Sequence, residues 1–213
     1  MFYKRNQVEE AISRTLGETS AKPSSELRTR VKRLLDADRN LGRTVRSSDP
    51  RENNYAFYTK VAPGKGAEVH FSGYEAFALM EGLRLMKHEW PQGFVVSIMR
   101  EVRRDLEKRH RRILELDSDA LFDPQLIRER NEGGAYAGTN SAQEFLLIVS
   151  DDNIREKATD RPYPMFFDDQ RQAFEFQLKE PGRSCTWIEL VTPAHLLRDT
   201  LKQTLPRQRG RSR

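Results

Sequence analysis

Apolar residues recur every three or four positions in several stretches of this chain, and each stretch is bordered by residues that start or stop a helix. Val8, Ala11, Ile12, Thr15 and Leu16 follow Asn6 and Glu9, which form the Asn variant of a capping box, and Gly17 ends the run. Leu27, Val31, Leu34 and Leu35 make one stripe behind a Ser24 cap, with Glu26 near the positive helix end and Gly42 closing the run. Ala76, Phe77, Leu79, Met80, Leu83 and Met86 follow Ser72 and Glu75, the clearest capping box in the sequence. Trp90-Pro91 breaks that helix, and Pro91 suits the start of the next. There Val95, Met99, Val102, Leu106, Ile113 and Leu116 fall on a heptad seam, with Arg109 at the position between Leu106 and Ile113. A last helix, Ala194–Leu205, carries Leu196, Leu197, Leu201 and Leu205 on one side.

Other stretches alternate or run continuously apolar, as strands do. Tyr55–Val61 and Ala67–Phe71 flank Pro63-Gly-Lys-Gly66 and predict a short hairpin with a basic tip. Glu144–Ser150, Ala173-Phe-Glu-Phe-Gln-Leu178 and Cys185–Val191 predict three more strands. Glu18–Pro23, the polar stretch 47–54, the Gly133-Gly134 region within 117–142, and the acidic stretch Asp151–Pro164 read as connections. The fold class expected is α+β. The longest apolar run, Phe145-Leu-Leu-Ile-Val149, is far below the roughly 18 residues that cross a membrane. Met1-Phe-Tyr-Lys-Arg lacks the apolar core of a secretory signal, and a single cysteine, Cys185, excludes an internal disulfide framework. A cytoplasmic location without membrane contact is the expectation.

Charge changes the picture through its distribution. The 213 residues carry a net +5. Residues 1–116 hold 23 Lys and Arg against 16 Asp and Glu, a net +7, whereas residues 117–213 hold 14 against 16, a net −2. Arg207, Arg209, Arg211 and Arg213 make the end basic again. A basic half joined to an acidic one points to a polyanion partner for the first.

Candidate chemistry is sparse. His70, His88, His110 and His195 show no metal-ligand spacing, Cys185 has no nearby partner, and phosphate-loop, dinucleotide-binding and nucleophile-elbow motifs do not occur. No enzyme activity, metal or cofactor is expected. On the second helix, Arg28, Lys32, Arg39 and Arg43 line one stripe beside the apolar side, interrupted by Asp36. Cations at one-turn spacing can meet successive phosphates, and long arginines can reach base edges. Arg46 and Arg51 lie close behind in sequence, and Lys60 and Lys65 sit on the predicted hairpin.

The order of these elements, together with Tyr55-Ala-Phe-Tyr58, Val69-His-Phe-Ser72 and the stretch from Glu75 to Arg100, resembles the winged-helix DNA-binding region of the mercury-resistance-regulator (MerR) family. The resemblance covers roughly residues 3–116. It implies a winged helix-turn-helix over 1–90 and a linking and dimerisation helix over 91–117; beyond it, the strand and helix signals read as a separate α+β domain over 118–205, and composition makes 206–213 a basic disordered tail. The implied function is a dimeric transcription regulator on double-stranded DNA. Arg28, Lys32, Arg39, Arg43, Arg46, Lys60 and Lys65 would contact DNA, and Val95, Met99, Val102, Leu106, Ile113 and Leu116 would pair the subunits. RNA polymerase or another protein is a further partner for the C-terminal domain. Two other classes fit the same charge pattern: an interaction or assembly protein with a basic face, and an RNA-binding adaptor.

Overall fold

The computed structural model describes residues 1–18, 22–59, 68–132, 143–151, 161–180 and 182–206. In chain order the elements are β1 (Tyr3–Lys4), α1 (Arg5–Thr15), α2 (Ser25–Leu41), α3 (Pro50–Asn53), β2 (His70–Phe71), α4 (Gly73–Lys87), α5 (Gln92–Glu101) and α6 (Arg103–Leu114). They continue with α7 (Ser118–Leu121), α8 (Pro124–Glu132), β3 (Phe145–Asp151), β4 (Tyr163–Phe167), α9 (Gln170–Lys179), β5 (Arg183–Glu189) and α10 (Val191–Gln203). The class is α+β, with two small antiparallel sheets. The chain forms two compact units, one of Met1–Glu107 with Leu196–Arg213 and the other of Lys108–His195. The division falls at Glu107 and His195, whereas the sequence places boundaries near 90, 117 and 205.

In the first unit the caps explain where helices begin. Ser24 Oγ accepts the Leu27 N–H at 3.1 Å, and Gly42 ends α2 at φ +64°, where a side chain would be strained. At α4, Ser72 Oγ accepts the Glu75 N–H at 3.1 Å and Glu75 Oε2 accepts the Ser72 N–H at 2.6 Å. Helix α1 starts earlier than its sequence predicts: the Lys4 N–H donates to Gln7 Oε1 at 3.0 Å, and Glu9 is used instead in an ion pair with Arg5. The core joins Val8 and Ile12 of α1, Val31 and Leu34 of α2, Phe77 and Met80 of α4, and Val95 and Met99 of α5. Gly82 lets α4 lie close to Phe57, because a Cβ there would stand 3.1 Å from the Phe57 ring. The Gln7 side-chain amide donates to the Thr204 carbonyl at 2.9 Å, tying the end of the chain to α1.

The predicted hairpin is not formed by the described residues. Tyr55–Thr59 is not a strand, and His70–Phe71 pairs antiparallel with Tyr3–Lys4. The physical reason is that side chains take the place of a neighbouring strand. The Ala56 and Phe57 N–H groups donate to the Asp38 carboxylate at 3.1 and 3.0 Å, while Arg103 Nη1 donates to the Tyr55 and Ala56 carbonyls at 2.7 and 3.1 Å. Residues 60–67, the tip of that hairpin, lie outside the described residues.

The long helix predicted from Pro91 is two helices separated at Val102. Val95, Met99, Val102 and Leu106 are buried within the first unit and Ile113 within the second, while Leu116 is 38% exposed. The stripe assigned to subunit pairing is thus covered by the chain itself, and that assignment is corrected.

In the second unit β3 lies between β4 and β5, antiparallel to both, with Leu147 opposite Met165 on one side and Trp187 on the other. Phe145, Leu147, Val149 and Ala173 form its core, with Phe167, Phe176 and Trp187 packed against them. The strand predicted over 173–178 is the helix α9. Asp169 caps it by accepting the Gln172 N–H at 2.8 Å, and Ala173 and Phe176, one turn apart, pack toward the core. Strand β4 is not among the expected strands: it begins at the end of the stretch read as an acidic connection, with Tyr163 and Pro164, and runs on to Phe167, paired with Phe145–Val149. On α10, Leu197 and Leu201 are buried but Leu196 is exposed, and Leu205 lies beyond the helix end and is exposed, which corrects the single leucine side expected there.

Candidate nucleic-acid interface

A helix buries about one third of its circumference, and the opposite side is free to meet a partner. On α2 the buried side holds Leu27, Val31, Leu34, Leu35 and Asp38. At 100° per residue, Arg28, Lys32 and Arg39 fall within about 40° of one another beside it. Arg28 and Lys32 are exposed and one turn apart, and neither has an ion-pair partner among the described residues. Arg39 differs. It is half-buried, its Nη1 donates to Asp36 Oδ1 at 3.0 Å, and its Nη2 donates to the Tyr58 hydroxyl at 3.4 Å. Burial pushes the Tyr58 hydroxyl up to about 12, with the Arg39 charge opposing the shift. Arg39 is thus committed to the fold, and the stripe reduces to Arg28 and Lys32 on the helix.

Arg43 follows directly after Gly42 and is exposed. Its guanidinium carbon lies 5.7 Å from the centroid of the Tyr55 ring, and it has no carboxylate partner among the described residues. Its neighbour Thr44 is fixed by an N–H bond to the Glu52 carbonyl at 2.9 Å. Arg46 is exposed as well. Lys60 and Lys65 lie outside the described residues.

Several other cations of the first unit are neutralised locally. Arg5, Arg14, Arg30, Arg51 and Arg84 sit on Glu9, Glu10, Glu26, Glu101 and Glu81. Arg100 meets Asp38 at 2.7 Å in the interior. Arg28, Lys32, Arg43 and Arg46 have no carboxylate partner among the described residues, a property shared with exposed Lys87 and Arg104, and what sets them apart is their position along α2 and the turn after it. Arg33, exposed on another part of α2, is a further unpaired cation that stripe-based reading passes over.

Leu41 and Val45 flank Arg43 in sequence and are 62% and 70% exposed. In the second unit, Arg109 bonds to Glu144 Oε2 at 2.8 Å and to Asp168, with its guanidinium 4.6 Å from the Phe166 ring centroid. The break that Arg109 makes in the heptad seam is thus filled by acids of the same chain. Two buried imidazoles, His110 and His195, share that unit, and burial with the His195 charge brings His110 down to about 4.

Among the described residues, no group of three or more His, Cys, Asp or Glu could hold a metal ion, and no helix is long and apolar enough to cross a membrane. No family model, curated protein or solved structure matches this chain.

Proposed function

We propose that this chain binds double-stranded DNA, as a transcription regulator does, through the exposed basic side of α2 and the turn that follows it. The observation that carries the proposal is the set Arg28, Lys32, Arg43 and Arg46, exposed and without carboxylate partners among the described residues. An exposed ion pair contributes little to stability, and an exposed unpaired cation contributes less. Cations kept free of local acids along one helix and out of its end do have a use in releasing counterions from a phosphate backbone. Arg28 and Lys32, about 6 Å apart along the axis, can address neighbouring phosphates. The proposal needs no wing and no coiled-coil dimer. Competition decides it: labelled duplex bound to the protein resists an excess of heparin or single-stranded RNA if DNA is the ligand, and is displaced by either as readily as by unlabelled duplex if charge alone is recognised.

A second proposal has its own observation. Leu41 and Val45 place exposed apolar surface beside Arg43, and a surface that mixes apolar and cationic side chains suits an acidic protein segment. Leu41→Ser with Val45→Ser separates the two, since duplex binding survives it and capture of an acidic peptide does not.

A further inference from the structure

The four cations of this proposal are not equivalent, because only Arg43 among them rests on an aromatic ring. Arg28 and Lys32 extend from a helix side with no ring or hydrogen-bond partner among the described residues. The Arg43 guanidinium instead lies 5.7 Å from the Tyr55 ring centroid. That ring is itself held firmly. Tyr55 is 9% exposed, its carbonyl accepts Arg103 Nη1 at 2.7 Å, and its ring meets Tyr58 edge-on with centroids 5.9 Å apart. A second guanidinium, Arg100, lies 5.5 Å from the same centroid, but its charge is taken up by Asp38 at 2.7 Å. The Arg43 backbone is pinned as well, between Gly42 at φ +64° and Thr44 bonded to Glu52.

A ring contact leaves the N–H donors of a guanidinium free to form hydrogen bonds while it restricts the side chain. Preorganised in this way, an arginine presents a planar fork that matches paired acceptors, and it loses less freedom on binding than a free arginine does. Resting on the DNA-binding function proposed above, we infer that Arg43 is the residue that grips one paired acceptor of the duplex, through a fork that lysine cannot reproduce, and that Tyr55 is its positioning residue. Arg28 and Lys32 act as point charges. The paired acceptors are either two phosphate oxygens or the O6 and N7 edge of a guanine, which offer the same geometry.

The test compares Arg43→Lys and Arg28→Lys with the wild-type chain on a panel of duplexes of different sequence, at several salt concentrations. Arg43→Lys keeps the charge, so its salt slope stays that of the wild type while affinity falls roughly tenfold or more. Arg28→Lys, which keeps a point charge in place, falls by far less than Arg43→Lys. A uniform fall across the panel assigns the acceptor to phosphate, and a fall confined to duplexes with a guanine at one position assigns it to that base. Tyr55→Phe keeps the ring under Arg43, so it falls by far less than Tyr55→Leu. Tyr55→Leu, where its circular dichroism melt shows a folded chain, behaves as Arg43→Lys; where it does not fold, the Arg43→Lys comparison alone decides. Wild-type binding to duplex together with unchanged affinity in Arg43→Lys overturns this inference and leaves DNA binding standing. No binding of the wild type to any duplex overturns both.

Discussion

Arg100 donates to Asp38 through Nε at 2.7 Å, and the two side chains are 3% and 0% exposed. Asp38 also accepts the Ala56 and Phe57 N–H groups, and Arg100 reaches the Asp38 and Arg51 carbonyls at 2.6 and 3.1 Å. The contacts of this centre join α2, α3, the segment after α3 and α5. It sets where Tyr55 stands, and through Tyr55 the surface on which Arg43 rests.

Removing one partner of a buried pair leaves the other charged and unmatched, which costs about 3–5 kcal/mol. Asp38→Ala is therefore expected to lower the unfolding free energy by that order, measured by urea denaturation. The double variant Asp38→Leu with Arg100→Leu does not recover it, because the Ala56 and Phe57 N–H groups lose their acceptor. A loss below about 1 kcal/mol in Asp38→Ala contradicts a structural role for the pair.

The seam from Val95 to Leu116 makes a second prediction. Leu106 is fully buried, so Leu106→Glu places a charge in the interior of the first unit. The expected result is a sharply lower thermal midpoint. A subunit interface at this position would give the opposite, a chain that melts as before but halves its mass in light scattering.

Much of the first unit is legible in sequence because its signals are local. Ser24, Gly42, Ser72 and Glu75 act within three or four residues of themselves, and each cap is found where the pattern puts it. Tyr55–Tyr58 is misread as a strand for the opposite reason: its hydrogen-bond partners, Asp38 and Arg103, are side chains some 20 to 50 residues away. A signal did exist, since Asp38 falls on the same helical side as Leu27, Val31 and Leu34, and a carboxylate on an apolar side needs a buried partner. Ala173–Leu178 fits period two and period 3.6 alike, and only the Asp169 cap decides for the helix. The seam shows that a heptad spacing records a buried stripe without naming what buries it. Within the basic stripe, Arg28, Lys32 and Arg43 were readable as free cations, whereas the pairing of Arg39 with Asp36 and Tyr58 was not.

Acid stability follows from His110. Burial and the nearby His195 bring its folded value from 6.5 down to about 4, so between those limits the unfolded chain takes up a proton that the folded chain refuses. His110 costs no stability above pH 6.5, and its cost grows as pH is lowered toward 4. His110→Phe is expected to flatten denaturation midpoints over this window; an unchanged dependence contradicts it.

Alkaline stability follows from Tyr58 with the mirrored sign. Its folded value is raised from 10 to about 12, so the unfolded chain loses a proton first and stability falls as pH climbs above 10. Tyr58→Phe removes that dependence, and it also frees Arg39 from one of its two partners. Midpoints measured between pH 9 and 11 check both.

DNA binding through α2 is tested most directly by the salt dependence of duplex affinity in the wild type and in Arg28→Ala with Lys32→Ala. Both side chains are exposed, so the variant keeps its circular dichroism spectrum and melting temperature. Each phosphate contact contributes about 0.9 to the slope of log affinity against log salt, so the variant is expected to bind more weakly with a slope shallower by about 1.8. A folded variant with the wild-type affinity and slope contradicts DNA binding by this helix.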